Sequence, residues 1–192
     1  MTKDHWWMTP IWVFHINSAQ IDFNKIIKEV YKIQKKDKGR IVSNYGGWQS
    51  NVLDLKADTE INKLLKEIER QTQVCFDELD IKSFYTKKIA NAWININKKS
   101  DSNAPHLHPN SILSGCVYIQ SDDKAGNIKI HRNAMEAYYY NTYINSDNQY
   151  SYEHIYYKPI EHTAIVFPSY LMHSVEPSNS EQDRISIAYN LW

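Results

Sequence analysis

Hydrophobic positions along this chain change their period once. Up to about residue 79 they recur at three- and four-residue steps, and from about residue 85 they recur at every second residue. Between Asp22 and about Lys36, Ile26, Ile27, Val30, Tyr31 and Ile33 fall near helical spacing with lysines between them. That pattern predicts an amphipathic helix whose Lys-rich face is solvated. A second helix is expected from about Thr59 to Leu79, where Ile61, Leu64, Leu65 and Ile68 make one stripe and Cys75 follows two turns later. Ahead of the helices, the uncharged run Ile11 to Phe14 after Pro10 reads as a short strand, and Ser43 to Ser50, with Gly46 and Gly47, reads as a turn-rich loop.

Beyond the helices, Tyr85 to Asn97 alternates: Ala90, Ala92, Ile94 and Ile96 point one way, and Asn91, Trp93, Asn95 and Asn97 the other. Further strands are expected over Ile112 to Gln120, Ile128 to His131, Tyr138 to Ile144, Tyr152 to Tyr157, Thr163 to Phe167 and Arg184 to Leu191. The polar tract from Asn145 to Ser151 reads as a hairpin tip. Two helices followed by many short strands predict an α+β chain, mainly β, built as a sandwich with the N-terminal helices packed on one sheet.

A length of 192 residues fits one domain, with an N-terminal strand and helices over 1–83 and the β core over 84–192. Twenty-two basic residues balance 22 acidic ones, so no electrostatic footprint for nucleic acid or an anionic membrane is expected. Cys75 and Cys116 form no CxxC pair, which argues for free thiols in a reducing compartment. No apolar run approaches the roughly 18 residues that span a bilayer, and the first residues lack a basic leader, so a cytoplasmic location is expected.

Three features carry chemistry. In Pro105-His106-Leu107-His108-Pro109-Asn110, residues i and i+2 of an extended chain share a side, so His106 and His108 can aim at one point. Neutral imidazole is a good ligand for iron, zinc, copper or nickel. A third histidine, His173, follows a hydrophobic strand and a Pro-containing turn, 65 residues after His108. Finally, alternation in Arg184-Ile185-Ser186-Ile187-Ala188 puts Arg184, Ser186 and Ala188 on one face. If the isoleucines pack under the helices, Arg184 lies inside the sandwich and needs a carboxylate or similar partner, internal or bound.

The order HxH, distal His, Arg-x-Ser resembles that of the double-stranded β-helix 2-oxoglutarate oxygenases. The stretch His106 to Tyr118, reading HLHPNSILSGCVY, is similar to the HxHPxSxLSGVYY signature of an oxygenase family of marine bacteria and phages, with Cys116 and Val117 departing mildly from it. Thr9-Pro10-Ile11-Trp12, Asn91-x-Trp93-x-Asn95, Phe167-Pro168-Ser169 and the ending Arg184 to Asn190 fit the same family. The resemblance implies a cupin-like jelly roll and a dioxygenase using Fe(II), 2-oxoglutarate and O2. It implies His106, His108 and His173 at the metal, Arg184, Ser186 and Tyr118 at 2-oxoglutarate, and Asn91, Asn95, Trp48 and Gln49 toward substrate. Its wider relatives point to hydroxylation of a peptidyl residue such as proline, or of a small molecule; no nucleic acid or membrane partner is expected, and a homodimer is left open.

One departure keeps alternatives alive. Most of the superfamily carries Asp or Glu where His108 stands. His108 can complete a three-His set, sit off the metal to leave a two-His site, or shift the ligand pair to His108 and Asn110. A three-His site brings no protein charge, and Glu161 or Asp183 could lend it from nearby. A non-catalytic jelly-roll module with a structural metal, and a three-His dioxygenase that does not use 2-oxoglutarate, are the rival readings. His131, His154 and His162 are expected to be structural or exposed, and Tyr138 to Tyr140 could floor a groove.

Overall fold

The computed structural model describes the chain except residues 3, 5–7, 17–18, 137–144 and 147. The expected strand over Tyr138 to Ile144 and the groove-floor tyrosines lie outside the described residues. Helix α1 spans Phe23–Gln34 and α2 spans Glu60–Glu78. Their starts are set by side-chain caps: Asp22 accepts from Lys25 N and Thr59 from Asn62 N. The Glu29 carboxylate on α1 accepts from Glu60 N and Ile61 N, so one helix caps the other and fixes their mutual position.

Eleven strands are described: β1 (Trp12–His15), β2 (Asn44–Tyr45), β3 (Trp48–Gln49), β4 (Ile89–Asn97), β5 (Ser102–His106), β6 (Leu113–Gln120), β7 (Ile128–His131), β8 (His154–Tyr157), β9 (Thr163–Pro168), β10 (His173–Val175) and β11 (Arg184–Leu191). They form two antiparallel sheets, a six-stranded one in the order β1-β9-β6-β11-β4-β3 and a five-stranded one in the order β2-β5-β10-β7-β8. This is the mainly β, jelly-roll architecture expected from the sequence.

Alternation along the strands divides the interior into two cores. Ala92, Ile94 and Ile96 of β4 and Ile185 and Ile187 of β11 join Val30, Leu64, Ile68 and Phe76 of the helices in the larger cluster. A smaller cluster of Tyr118, Ile128, Ile130, Ile165 and Phe167 lies toward the five-stranded sheet. Ala90 is exposed rather than sharing the face of Ala92, because β4 carries an extra residue where Asn190 and Leu191 pair with Asn91 and Ile89.

The strand expected to start at Tyr85 starts at Ile89, and the turn before it holds Lys87 at φ 53°. Four strands were not expected: β2, β3, β5 and β10. Each is two to five residues long. The β2–β3 connection turns through Gly46 and Gly47, at φ 67° and 65°, and links the two sheets, since β2 pairs with β5 and β3 with β4. No helix among the described residues is long and apolar enough to cross a membrane.

Candidate metal centre and co-substrate cavity

The cavity lies between the sheets, with one wall made by the inner faces of β4, β6 and β11. Asn91, Trp93 and Asn95 come from β4, Gly115, Cys116 and Tyr118 from β6, and Arg184, Ser186 and Ala188 from β11. The opposite wall includes His106 of β5 and His173 and Val175 of β10. The volume is about 530 Å³, in the usual range for a small-molecule site.

Pairing of β5 with β10 puts His106 directly across from His173. His108 lies just past the end of β5, where its backbone N–H donates to Ser169 O at 3.1 Å. One ligand atom from each of the three rings lies within 4.8 Å of the others. His106 Nδ1 is 2.8 Å from Ala104 O, and His173 Nδ1 is 2.9 Å from Leu171 O. A carbonyl can only accept, so both protons sit on Nδ1 and both Nε2 atoms carry lone pairs in the neutral ring. That is how metal-binding histidines are oriented by a surrounding acceptor.

His108 Nε2 lies 3.2 Å from His173 Nε2. Two nitrogens held at right angles about 2.1 Å from one ion would be about 3.0 Å apart, so the spacing suits a shared metal. Burial keeps the rings neutral: it pulls His173 down to about 3 and His108 to about 4, and lowers His106 as well. Trp93 packs against His108 with ring centroids 5.6 Å apart.

Arg184 is 3 % exposed and lines the same cavity. Its Nη1 donates to Gly126 O at 2.6 Å and its Nη2 to Asn97 Oδ1 at 2.8 Å, while Nε is buried with no partner. No carboxylate among the described residues pairs with it. A buried guanidinium held only by neutral oxygens, with its Nε and further N–H groups unpaired, fits the far carboxylate of a dicarboxylic acid. Tyr118, whose phenol burial pushes well above its ordinary value, and Ser186 stand beside it as neutral hydrogen-bonding groups.

Asn91, Asn95 and Gln49 line the cavity. Trp48 does not: its indole N–H donates to Asp37 O at 3.0 Å and its ring packs on the larger core. Glu161 and Asp183 also lie elsewhere, accepting from Ser121 N and Tyr31 Oη, so backbone carbonyls rather than acids orient the histidines. His131 and His154 face each other across β7 and β8, His162 stacks on Phe23, and none belongs to the triad. Asn97 and Gly126, which hold Arg184, were not singled out in the sequence. Asn97 did carry a signal, since alternation places it on the face of Asn91 and Asn95.

Over residues 91–190 the sequence matches the family described as "Putative 2OG-Fe(II) oxygenase". The chain belongs to that family. Fe(II) and 2-oxoglutarate are therefore its cofactor and co-substrate, and the triad and Arg184 suit them in donor type and charge. No curated protein matches the sequence. Among solved structures, the fold resembles a Pseudomonas putida prolyl-4-hydroxylase at TM-score 0.68 and 10% identity, covering 95% of this chain and 92% of that one. It also resembles a Trichoplax adhaerens prolyl hydroxylase in complex with a hypoxia-inducible-factor peptide fragment (TM-score 0.63, 13% identity, 95% and 83% covered). A third similar structure is HygX from Streptomyces hygroscopicus with nickel and 2-oxoglutarate bound (TM-score 0.56, 10% identity, 95% and 82% covered).

Proposed function

We propose that this oxygenase is a hydroxylase of a peptidyl, prolyl-like residue or of a small molecule, with Fe(II) held by His106, His108 and His173. The observation that carries the reading is the buried Arg184, with an unpartnered Nε and no acid of its own, in the cavity that holds the triad. Iron with 2-oxoglutarate and O2 supplies the oxidising power to hydroxylate a C–H bond, leaving succinate and CO2 as co-products.

The chain's own part is positioning. Ala104 O and Leu171 O hold the Nδ1 protons of His106 and His173, so their Nε2 atoms are ready to bind without reorganisation. Arg184 orients the co-substrate from the far end, with Ser186 and Tyr118 as further hydrogen-bonding groups. Trp93 and Phe167 shield the triad, which limits water beside the metal. Asn91, Asn95 and Gln49 are left to face substrate. The likeness to prolyl hydroxylases favours a peptidyl target.

The test is succinate formation by iron-loaded protein with 2-oxoglutarate, in the wild type and in Arg184→Ala. The expected result is turnover in the wild type, and loss of turnover with iron content retained in the variant. Iron binding without 2-oxoglutarate consumption in the wild type would favour a three-His dioxygenase of another kind, and no iron binding would favour a non-catalytic module.

A further inference from the structure

The cavity holds two arginines and three histidines, and no Asp or Glu among the described residues lines it. Arg184 is committed to the co-substrate in the reading above, on which this inference rests. Arg40 is not committed to anything. It is exposed at the cavity wall, and its side chain makes no ion pair or hydrogen bond with any described residue.

The backbone beneath Arg40 is nevertheless clamped. Its N–H donates to Gln49 O at 2.8 Å. Gly39, at φ 78°, lies so close to the Trp48 ring that a Cβ would meet it at 2.6 Å. Asp37, the nearest acid in sequence, accepts from Gly39 N, Asn51 N and Asn51 Nδ2 at 2.7–2.9 Å and makes no ion pair with Arg40. A fixed base thus carries a free guanidinium over the opening. Val42, Val52 and Leu107, all substantially exposed, line the same cavity.

Charge balance sharpens the point. Three imidazole ligands contribute no charge, so a divalent ion and two guanidiniums bring four positive charges to the cavity, of which 2-oxoglutarate offsets two. Asp101 is the acid that acts on Arg184, and only through space. In a partly desolvated cleft such an imbalance favours a negatively charged occupant.

We propose that the substrate is a carboxylate-bearing molecule with an apolar body, its carboxylate paired with Arg40 and its apolar part lying on Val42, Val52 and Leu107. The carboxylate can belong to a free acid or to an acidic side chain within a peptide.

Protein loaded with Ni(II) and saturated with 2-oxoglutarate provides the test. Binding is measured by tryptophan fluorescence for two matched pairs of probes: hexanoate against hexanamide, and the capped dipeptide Leu-Asp against Leu-Asn. In at least one pair the acid is expected to bind about fivefold tighter than its amide, the size of one partly exposed charge pair. The pair that discriminates names the source. Arg40→Gln, which breaks no side-chain hydrogen bond or ion pair among the described residues, should remove the preference, and Arg40→Glu should reverse it, with unchanged Tm in both. Equal binding of acid and amide in both pairs, including no binding of either, overturns the inference, as does a preference that survives Arg40→Gln. Failure of 2-oxoglutarate to bind the nickel-loaded protein would instead count against the oxygenase mechanism itself.

Discussion

Asn97 Oδ1 accepts from Arg184 Nη2 at 2.8 Å, so the one guanidinium buried in the cavity is held by an amide where an acid would have cancelled its charge. Asn97→Asp replaces that neutral partner with an internal counter-ion at nearly constant shape. The expected outcome is a fall of about tenfold or more in 2-oxoglutarate affinity, since the co-substrate then competes with a carboxylate already in place. Metal affinity should be unchanged, because the triad does not touch Asn97. Calorimetric titrations of nickel into the metal-free protein and of 2-oxoglutarate into the nickel-loaded protein check the two.

Gly126 supplies the other neutral partner through its carbonyl, and a Cβ there would lie 1.9 Å from Glu176 O. Backbone must therefore move in Gly126→Ala. The variant is expected to lose stability, by about 1–3 kcal/mol as for other overpacked sites, and to weaken 2-oxoglutarate binding as the Arg184 fork shifts. Urea unfolding and the same titration read the two effects separately.

The triad makes a pH prediction. His173 and His108 are held near 3 and 4 against an ordinary value of 6.5. In the metal-free protein the unfolded chain binds protons below pH 6.5 that the folded one refuses. Stability is thus fully present above pH 6.5 and falls as pH drops toward 3–4, by about 1.4 kcal/mol per pH unit for each histidine. Protons also compete weakly for the ligand nitrogens, so nickel affinity should change little between pH 7 and 5.5, where an ordinary three-His site would weaken steeply. Steep loss over that range would contradict the buried, neutral triad.

His108 decides between a two-His and a three-His centre. His108→Ala should lower metal affinity by more than the tenfold to hundredfold that loss of a surrounding hydrogen-bond partner costs. A smaller effect would place His108 off the metal, leaving His106 and His173 as the protein ligands.

The helices were legible in the sequence because both are amphipathic and capped: Asp22 and Thr59 stand where the periodicity begins. The central strands β4, β6 and β11 were legible because one of their faces packs on those helices, which forces alternation. The strands that carry His106 and His173 were not. Ser102–His106 is polar and contains Pro105, and His173–Val175 is three residues long. Neither has an alternating apolar face, and their pairing is set by backbone hydrogen bonds that leave no periodic trace. The histidines themselves were visible as a spacing, and the Arg-x-Ser face as an alternation. What could not be read was the choice of neutral partners for Arg184. Asn97 is 87 positions away in sequence and Gly126 acts through its backbone.

The most direct measurement is an anaerobic visible spectrum of the protein with Fe(II), before and after 2-oxoglutarate is added. A new, weak metal-to-ligand charge-transfer band that is absent without iron and absent in Arg184→Ala is the predicted result. Iron bound with no band on saturation with 2-oxoglutarate would contradict a centre in which the triad and Arg184 hold the two ends of one co-substrate complex.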